Sequence, residues 1–158
     1  MIRILACGKL KEKWAREAVQ EYLKRCTPYE KTEVVEVPDE KAPENYSDAE
    51  RLQVINKEGE NLLKRIGSEE YVILLDLAGK EMTSEEMAGK LQDLYTYGKS
   101  RIAFVIGGSL GVSDALKKRA DLRWKLGGIT LPHQLCRIVL CEQIYRCFKI
   151  QHGEPYHK

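Results

Sequence analysis

Two glycine loops and a polar C-terminal segment hold the residues of this chain that could do chemistry. The first loop, Gly107-Gly108-Ser109-Leu110-Gly111, follows the apolar run Phe104-Val105-Ile106, and the second, Leu126-Gly127-Gly128-Ile129-Thr130-Leu131, leads into Pro132-His133-Gln134. A glycine loop behind a buried strand lets a ligand approach main-chain N–H and C=O groups closely, because no Cβ stands in the way. Such loops are where α/β proteins hold cofactors. The segment after Pro132 is mostly apolar yet carries Arg137, Glu142, Gln143 and Arg146, and it is followed by Gly153-Glu154-Pro155-Tyr156-His157-Lys158. Polar groups on an apolar helix need a partner or a purpose.

The first loop is neither the G-x-G-x-x-G dinucleotide fingerprint nor a Walker A loop, which would end in Lys-Ser or Lys-Thr. Taken alone it reads rather as a tight turn requiring positive φ angles. Convergence favours a site. The carboxyl ends of three apolar runs, at Leu75, at Gly107 and at Leu126 to Leu131, can gather at one edge of a parallel sheet, the usual ligand crevice.

The elements that must position these loops follow from periodicity. Residues 2 to 7 read as a buried strand, and Trp14, Ala15, Ala18, Val19, Tyr22, Leu23 and Cys26 mark a helical face. Thr32 to Val37 reads as a strand, and Pro38 to Tyr46 as a loop. Ser47-Asp48-Ala49-Glu50 has capping-box spacing before a helix through Ile66, which Gly59 weakens without ending. Tyr71 to Leu77 is expected to be a central strand closed by a turn at Ala78-Gly79. Thr83-Ser84-Glu85-Glu86 opens the next helix, and Arg101 to Ile106 is another buried strand. A short helix capped by Ser113, a strand at Leu122 to Leu126 and a last helix entered through Pro132 complete an α/β series.

At 158 residues, with no interdomain linker or repeat, the chain is expected to form one domain over residues 1–158. Its 43% hydrophobic and 32% charged residues are those of a globular protein rather than a disordered one. Its apolar runs are all shorter than the roughly 20 residues of a membrane span, and a cytoplasmic location is expected. The five cysteines include no C-x-x-C pair and suit reduced thiols. On one helix Cys136 and Cys147 would lie roughly 16 Å apart with Cys141 facing elsewhere, so one metal ion cannot collect all three. The net charge of +2 does not by itself mark a nucleic-acid protein. Its local clusters, Lys9, Lys11 and Lys13 among them, are either solvated surface or contacts for a phosphate backbone.

The quoted segments, together with Ile4-Leu5-Ala6-Cys7-Gly8-Lys9-Leu10-Lys11 and Val37-Pro38-Asp39-Glu40-Lys41-Ala42-Pro43, resemble the ribosomal RNA large-subunit methyltransferase H family. Its members are the pseudouridine N3 methyltransferases of the SPOUT class, and the resemblance spans essentially the whole chain. It implies a mostly parallel sheet flanked by helices with a deep C-terminal trefoil knot, a homodimer, and S-adenosyl-L-methionine as cofactor. By position, the family's cofactor contacts fall on Leu75, Gly107, Leu126, Gly127, Gly128, Ile129, Thr130 and Leu131. The implied substrate is a pseudouridine in the helix-69 loop of 23S rRNA within the 70S ribosome.

Methylation at an imide nitrogen requires loss of its proton and alignment with the methyl donor, work for geometry and electrostatics rather than for a metal. Candidates for that work are Glu142, Tyr156 and His157, with Arg137, Arg146 and Lys158 for phosphate or developing negative charge. The plainer reading of Glu142 is an i,i+4 pair with Arg146. That of His133 is a first-turn residue bonded to backbone. If the tail is ordered, a dimer partner or the cofactor site is expected to order it. Leu135, Ile138, Val139, Ile144, Tyr145 and Phe148 make the last helix apolar around much of its circumference, which calls either for a dimer interface or for burial in the monomer core. Two other readings are a ribosome-binding factor of this fold without catalysis and, lacking the proper fingerprint, a nucleotide-dependent oxidoreductase.

Overall fold

The computed structural model describes all 158 residues, Met1–Lys158. Five strands alternate with five helices: β1 (Ile2–Cys7), α1 (Lys13–Cys26), β2 (Thr32–Val37), α2 (Asp48–Leu63), β3 (Tyr71–Glu81), α3 (Ser84–Thr96), β4 (Ile102–Ile106), α4 (Asp114–Arg119), β5 (Leu122–Lys125) and α5 (His133–Gln151). The strands form one sheet in the order β2-β1-β4-β3-β5. Every pairing within it is parallel. Parallel strands need crossovers, and the intervening helices supply them.

The central strands are the apolar runs seen in the sequence: Ile102–Ile106 is buried throughout, as are Val72 to Leu75. One apolar cluster joins Ile4, Ile73 and Phe104 to residues of α1, α3 and α5. A smaller one on the opposite face joins Leu5, Leu74 and Val105 to Leu62 of α2 and Leu116 of α4. Both faces of the sheet are therefore covered, which is why its strands read as continuous rather than alternating hydrophobic runs.

Both capping boxes form, with Ser47 and Glu50 opening α2 and Thr83 and Glu86 opening α3. The end of β3 differs from expectation. Instead of turning at Ala78-Gly79, the strand bulges after Leu75 and resumes pairing with β5 at Lys80 and Glu81. The Asp76 carboxylate holds the bulge by accepting from Arg123 Nε at 2.9 Å and from the Ala78 N–H at 2.9 Å. A bulge re-aims the strand where it leaves the sheet, and Leu75 at its start faces the candidate site described below.

Helix α5 packs between α1 and α3. Ile144, Tyr145 and Phe148 are buried in the monomer core, so for these residues the intramolecular explanation of the helix's apolar character holds. Leu135 remains 40% exposed, and Ile138 and Val139 are half-buried. No helix is long and apolar enough to cross a membrane.

Candidate active site

The loops after β3, β4 and β5 meet at the carboxyl edge of the sheet and enclose a cleft of about 690 Å³. That lies within the ordinary range for small-molecule sites, roughly 300–1,000 Å³. Leu75, Gly107, Leu126, Gly127, Ile129, Thr130 and Leu131 all line it. Of the residues expected at a cofactor site only Gly128 is not in the wall, although its neighbours on both sides are.

The first glycine loop is shaped from beneath. Gly108 sits directly above the buried carboxylate of Glu58, and a Cβ there would collide with it. Glu58 in turn accepts from Cys7 Sγ at 3.0 Å and from the Glu40 N–H at 3.1 Å. From the side, Arg51 Nη2 donates to the Leu110 carbonyl at 2.9 Å. The second loop turns at Gly127, whose φ of +156° is rarely adopted by residues with an L side chain. Neither Gly127 nor Gly128 has atoms crowding the position of a Cβ, so their backbone is open to approach.

Two polar groups in the wall lack partners. Trp124 is 2% exposed and its indole Nε1 bonds to nothing, and the same holds for Nε2 of His133. The expected backbone bond for His133 is thus not made by that nitrogen. Burial first, and then the Arg137 guanidinium, hold the His133 imidazolium below its usual pKa. Helix α5 starts at this wall without a side-chain cap, which leaves first-turn N–H groups free in the way helix N-termini do.

The C-terminal candidates form a separate cluster. Glu142 Oε1 accepts from Arg146 Nη2 at 2.6 Å and Nε at 2.9 Å and from the Tyr156 hydroxyl at 3.0 Å. Its other oxygen accepts from Gln143 Nε2 at 2.7 Å. The i,i+4 pair is therefore formed, and the tail is joined to it. Arg146 also lies 4.8 Å over the Tyr156 ring and reaches His157 Nδ1 at 3.0 Å. Because arginine only donates, that nitrogen accepts, and Nε2–H of His157 donates to Glu85 Oε1 at 2.7 Å. Burial and the Glu142 carboxylate push the Tyr156 phenol up to about 12, so it is a hydroxyl donor at neutral pH.

Glu142, Tyr156 and His157 are thus brought together, but none of them lines the cleft of the same chain. Within the chain the tail is joined to its own α5 and to Glu85.

Arg137 does not fit the phosphate-contacting role. It is 0% exposed, donates from Nη1 to Glu36 Oε2 at 2.7 Å and from Nη2 to the Gly8 carbonyl at 3.0 Å, and ties β1 and β2 to α5. The sequence showed a base on a helix but not the distant partners that bury it. Arg146 is half-buried and committed to Glu142 and His157, which leaves Lys158 as the exposed base of the three. Cys26, Cys141 and Cys147 are buried packing groups, and burial raises Cys26 to about 11 and Cys141 and Cys147 to about 12. No grouping of three or more His, Cys, Asp or Glu residues suits a metal ion. Arg51, Lys117 and Trp124 line the cleft without having been expected there. Arg51 and Lys117 reach it from α2 and α4 on one face of the sheet, a placement that no local pattern reveals.

Comparison with known proteins agrees with this architecture. The family model described as "Predicted SPOUT methyltransferase" matches residues 1–157. Two similar curated proteins are "Ribosomal RNA large subunit methyltransferase H" of Listeria welshimeri, 56% identical over 157 residues, and its namesake in Bacillus thuringiensis, 54% identical over 157 residues. Each alignment covers 99% of this chain and 99% of the relative. Among solved structures, a probable methylase family protein from Haemophilus influenzae Rd KW20 shares the fold with a TM-score of 0.54 at 15% identity, over 96% of this chain and 66% of that one. The parallel sheet with its cleft of glycine loops and the match over residues 1–157 make this chain a member of the SPOUT methyltransferase family.

Proposed function

We propose that this protein transfers a methyl group from S-adenosyl-L-methionine to N3 of a pseudouridine in the helix-69 loop of 23S rRNA. It acts on assembled 70S ribosomes, as a cytoplasmic homodimer whose C-terminal path is the deep trefoil knot implied by the resemblance. The observation that carries this reading is the gathering of the loops after β3, β4 and β5 into one cleft on the sheet's carboxyl edge. The name shared by relatives that are more than half identical points the same way.

The cleft fits such a cofactor. Leu75, Leu126, Ile129 and Leu131 offer apolar walls for a purine ring, while the open backbone at Gly127 and Gly128 offers hydrogen bonds. The unpartnered Trp124 donor and the uncapped start of α5 suit a ligand rich in acceptors, a carboxylate included. When bound, the cofactor supplies an electrophilic methyl on a sulfonium. The protein's part is to hold the target nitrogen in line with it and to favour the deprotonated base.

Glu142, Tyr156 and His157 are the groups for that second task, and within one chain they stay off the cleft. In this reading the cluster of each copy serves the cleft of the other, and the exposed Leu77, Ile129 and Leu135 are covered between copies.

The test is transfer of labelled methyl to 70S ribosomes lacking this modification, with the product nucleoside identified. Label on N3 of a helix-69 pseudouridine establishes substrate and reaction together. Tight cofactor binding without label would instead favour another RNA substrate or the binding-factor reading.

A further inference from the structure

The segment joining β1 to α1 takes no part in the cleft wall, yet its backbone is pinned from several sides. Gly8 N–H donates to the Val37 carbonyl at 2.8 Å, and the Gly8 carbonyl accepts from buried Arg137 at 3.0 Å. Leu10, itself 8% exposed, donates its N–H to Glu36 Oε2 at 3.2 Å. Arg16 Nη1 donates to the carbonyls of Leu10 at 3.0 Å and Lys11 at 2.6 Å. The outcome is a rigid loop that buries Leu10 and turns Lys9, Lys11 and Lys13 to solvent.

These lysines are nearly free of acids. Lys9 and Lys11 form no ion pair, and Lys13 has only the surface contact to Glu17 at 3.7 Å. Within the loop Glu12 is the one acid, and Asp39 flanks Gly8. Glu36 is already engaged by Arg137. Directly after the lysines comes Trp14, 53% exposed on the first turn of α1. Exposed ammonium groups held on a fixed backbone beside an exposed indole are the parts of a single-strand nucleic-acid surface: phosphates on the lysines, a base stacked on the ring.

The position fits as well. Ala6 of β1 is in register with Ile106 of β4. The Gly8-Lys9 loop therefore leaves the sheet beside the Gly107-Gly108 loop, on the same carboxyl edge as the cleft, to which Arg51 and Lys117 add further positive charge.

Resting on the methyltransferase reading above, we infer that Lys9, Lys11, Lys13 and Trp14 form a docking surface for the RNA substrate. The lysines hold backbone phosphates and Trp14 stacks an unpaired base next to the cleft.

The experiment compares wild type, Lys9→Gln/Lys11→Gln and Trp14→Ala in binding unmethylated 70S ribosomes over a range of salt. Methyl-transfer kinetics, cofactor affinity and sedimentation are measured on the same proteins. The double variant is expected to show a salt dependence shallower by about 0.7 for each lysine and a KM for ribosomes raised about tenfold. Trp14→Ala is expected to weaken ribosome binding roughly tenfold with the salt slope unchanged. In both, cofactor affinity, kcat at saturating ribosomes and sedimentation stay as in wild type. Ribosome binding equal to wild type overturns the inference. So does a change in cofactor affinity or in sedimentation, which would give the segment to the cleft or to a contact between copies. Failure of wild type itself to methylate ribosomes would identify the reading of the 70S ribosome as substrate as the part that is wrong, and a docking surface for that substrate would fall with it.

Discussion

The Tyr156 hydroxyl donates to the Glu142 oxygen that Arg146 also holds, 3.0 Å away, so the last residues of the chain are latched to the middle of α5. Chain termini fray unless something ties them. Here the tie is a shared carboxylate, with the Tyr156 ring lodged against Arg146 and, at 4.8 Å, Tyr145. Tyr156→Ala or His157→Ala is expected to lower methyl transfer by about 10²-fold, the lower range for a positioned acid–base group. Cofactor affinity measured by calorimetry should stay nearly unchanged, because in the proposed reading these side chains of one copy act on the target base at the other copy's cleft and do not hold the cofactor. Tyr156→Phe keeps the ring contacts and loses only the hydroxyl bond, so a loss as large as that of the alanine variant would identify the hydroxyl as the group that matters. Turnover equal to wild type in all of these would remove the tail from the mechanism.

Gly108 and Glu58 make the second relationship with a measurable consequence. Because the glycine rests on a buried carboxylate that also holds Cys7 and the Glu40 N–H, Gly108→Ala must displace either that carboxylate from its bonds or the loop from its support. Overpacking of this kind typically costs about 1–3 kcal/mol. The expected result is a lower Tm together with weaker cofactor binding, since the displaced loop forms the cleft wall. Gly128→Ala, where nothing stands near the added methyl, should leave Tm close to wild type. Equal effects of the two substitutions would show that the support from Glu58 is unimportant.

Arg137 tests the reassignment from surface to core. Its side chain is fully enclosed and its guanidinium links Glu36 to the Gly8 carbonyl. Arg137→Ala therefore leaves a cavity and unpaired groups, with an expected loss of stability of ~2–5 kcal/mol in denaturant unfolding. An unchanged stability accompanied by a shallower salt dependence of ribosome binding would return the residue to a phosphate-contacting role.

The features legible in the sequence are those set by near neighbours or by whole-element burial. Ser47 and Glu50 close their box across a single turn, at 3.1 and 3.2 Å, so the three-residue spacing is enough to find it. Buried parallel strands read as apolar runs because both sheet faces are covered, and their carboxyl ends then mark the cleft. What escaped depends on partners remote in the chain. The bulge of β3 is held at Asp76 by the remote Arg123 as well as by the Ala78 N–H, and the apolar run from Tyr71 does not record that distant partner. The burial of Arg137 rests on Glu36 and Gly8. The order of the tail rests on Glu85 as well as α5, at a separation that no periodicity argument spans.

His133 links the cleft to pH. Its imidazole is held below the ordinary value of 6.5, first by burial and then by the positive charge of Arg137, with Asp39 and Glu36 acting in the opposite direction. In the unfolded chain the group gains its proton near pH 6.5, while the folded protein resists protonation until lower pH. Between those two points the unfolded state binds more protons, so stability rises with pH. The contribution is complete above pH 6.5 and shrinks as pH falls toward the folded value. Denaturant unfolding from pH 7 down to pH 5 should thus show a decline that His133→Gln reduces. The window lies above the usual carboxylate range, so the lowered Glu85 and Glu154 add little there. A ligand that supplies an acceptor to a protonated His133 would reverse the sign, and a saturating cofactor that flattens the decline would place its acceptor at this side chain. A decline identical in wild type and His133→Gln would show that the unpartnered nitrogen in the wall does not couple to folding.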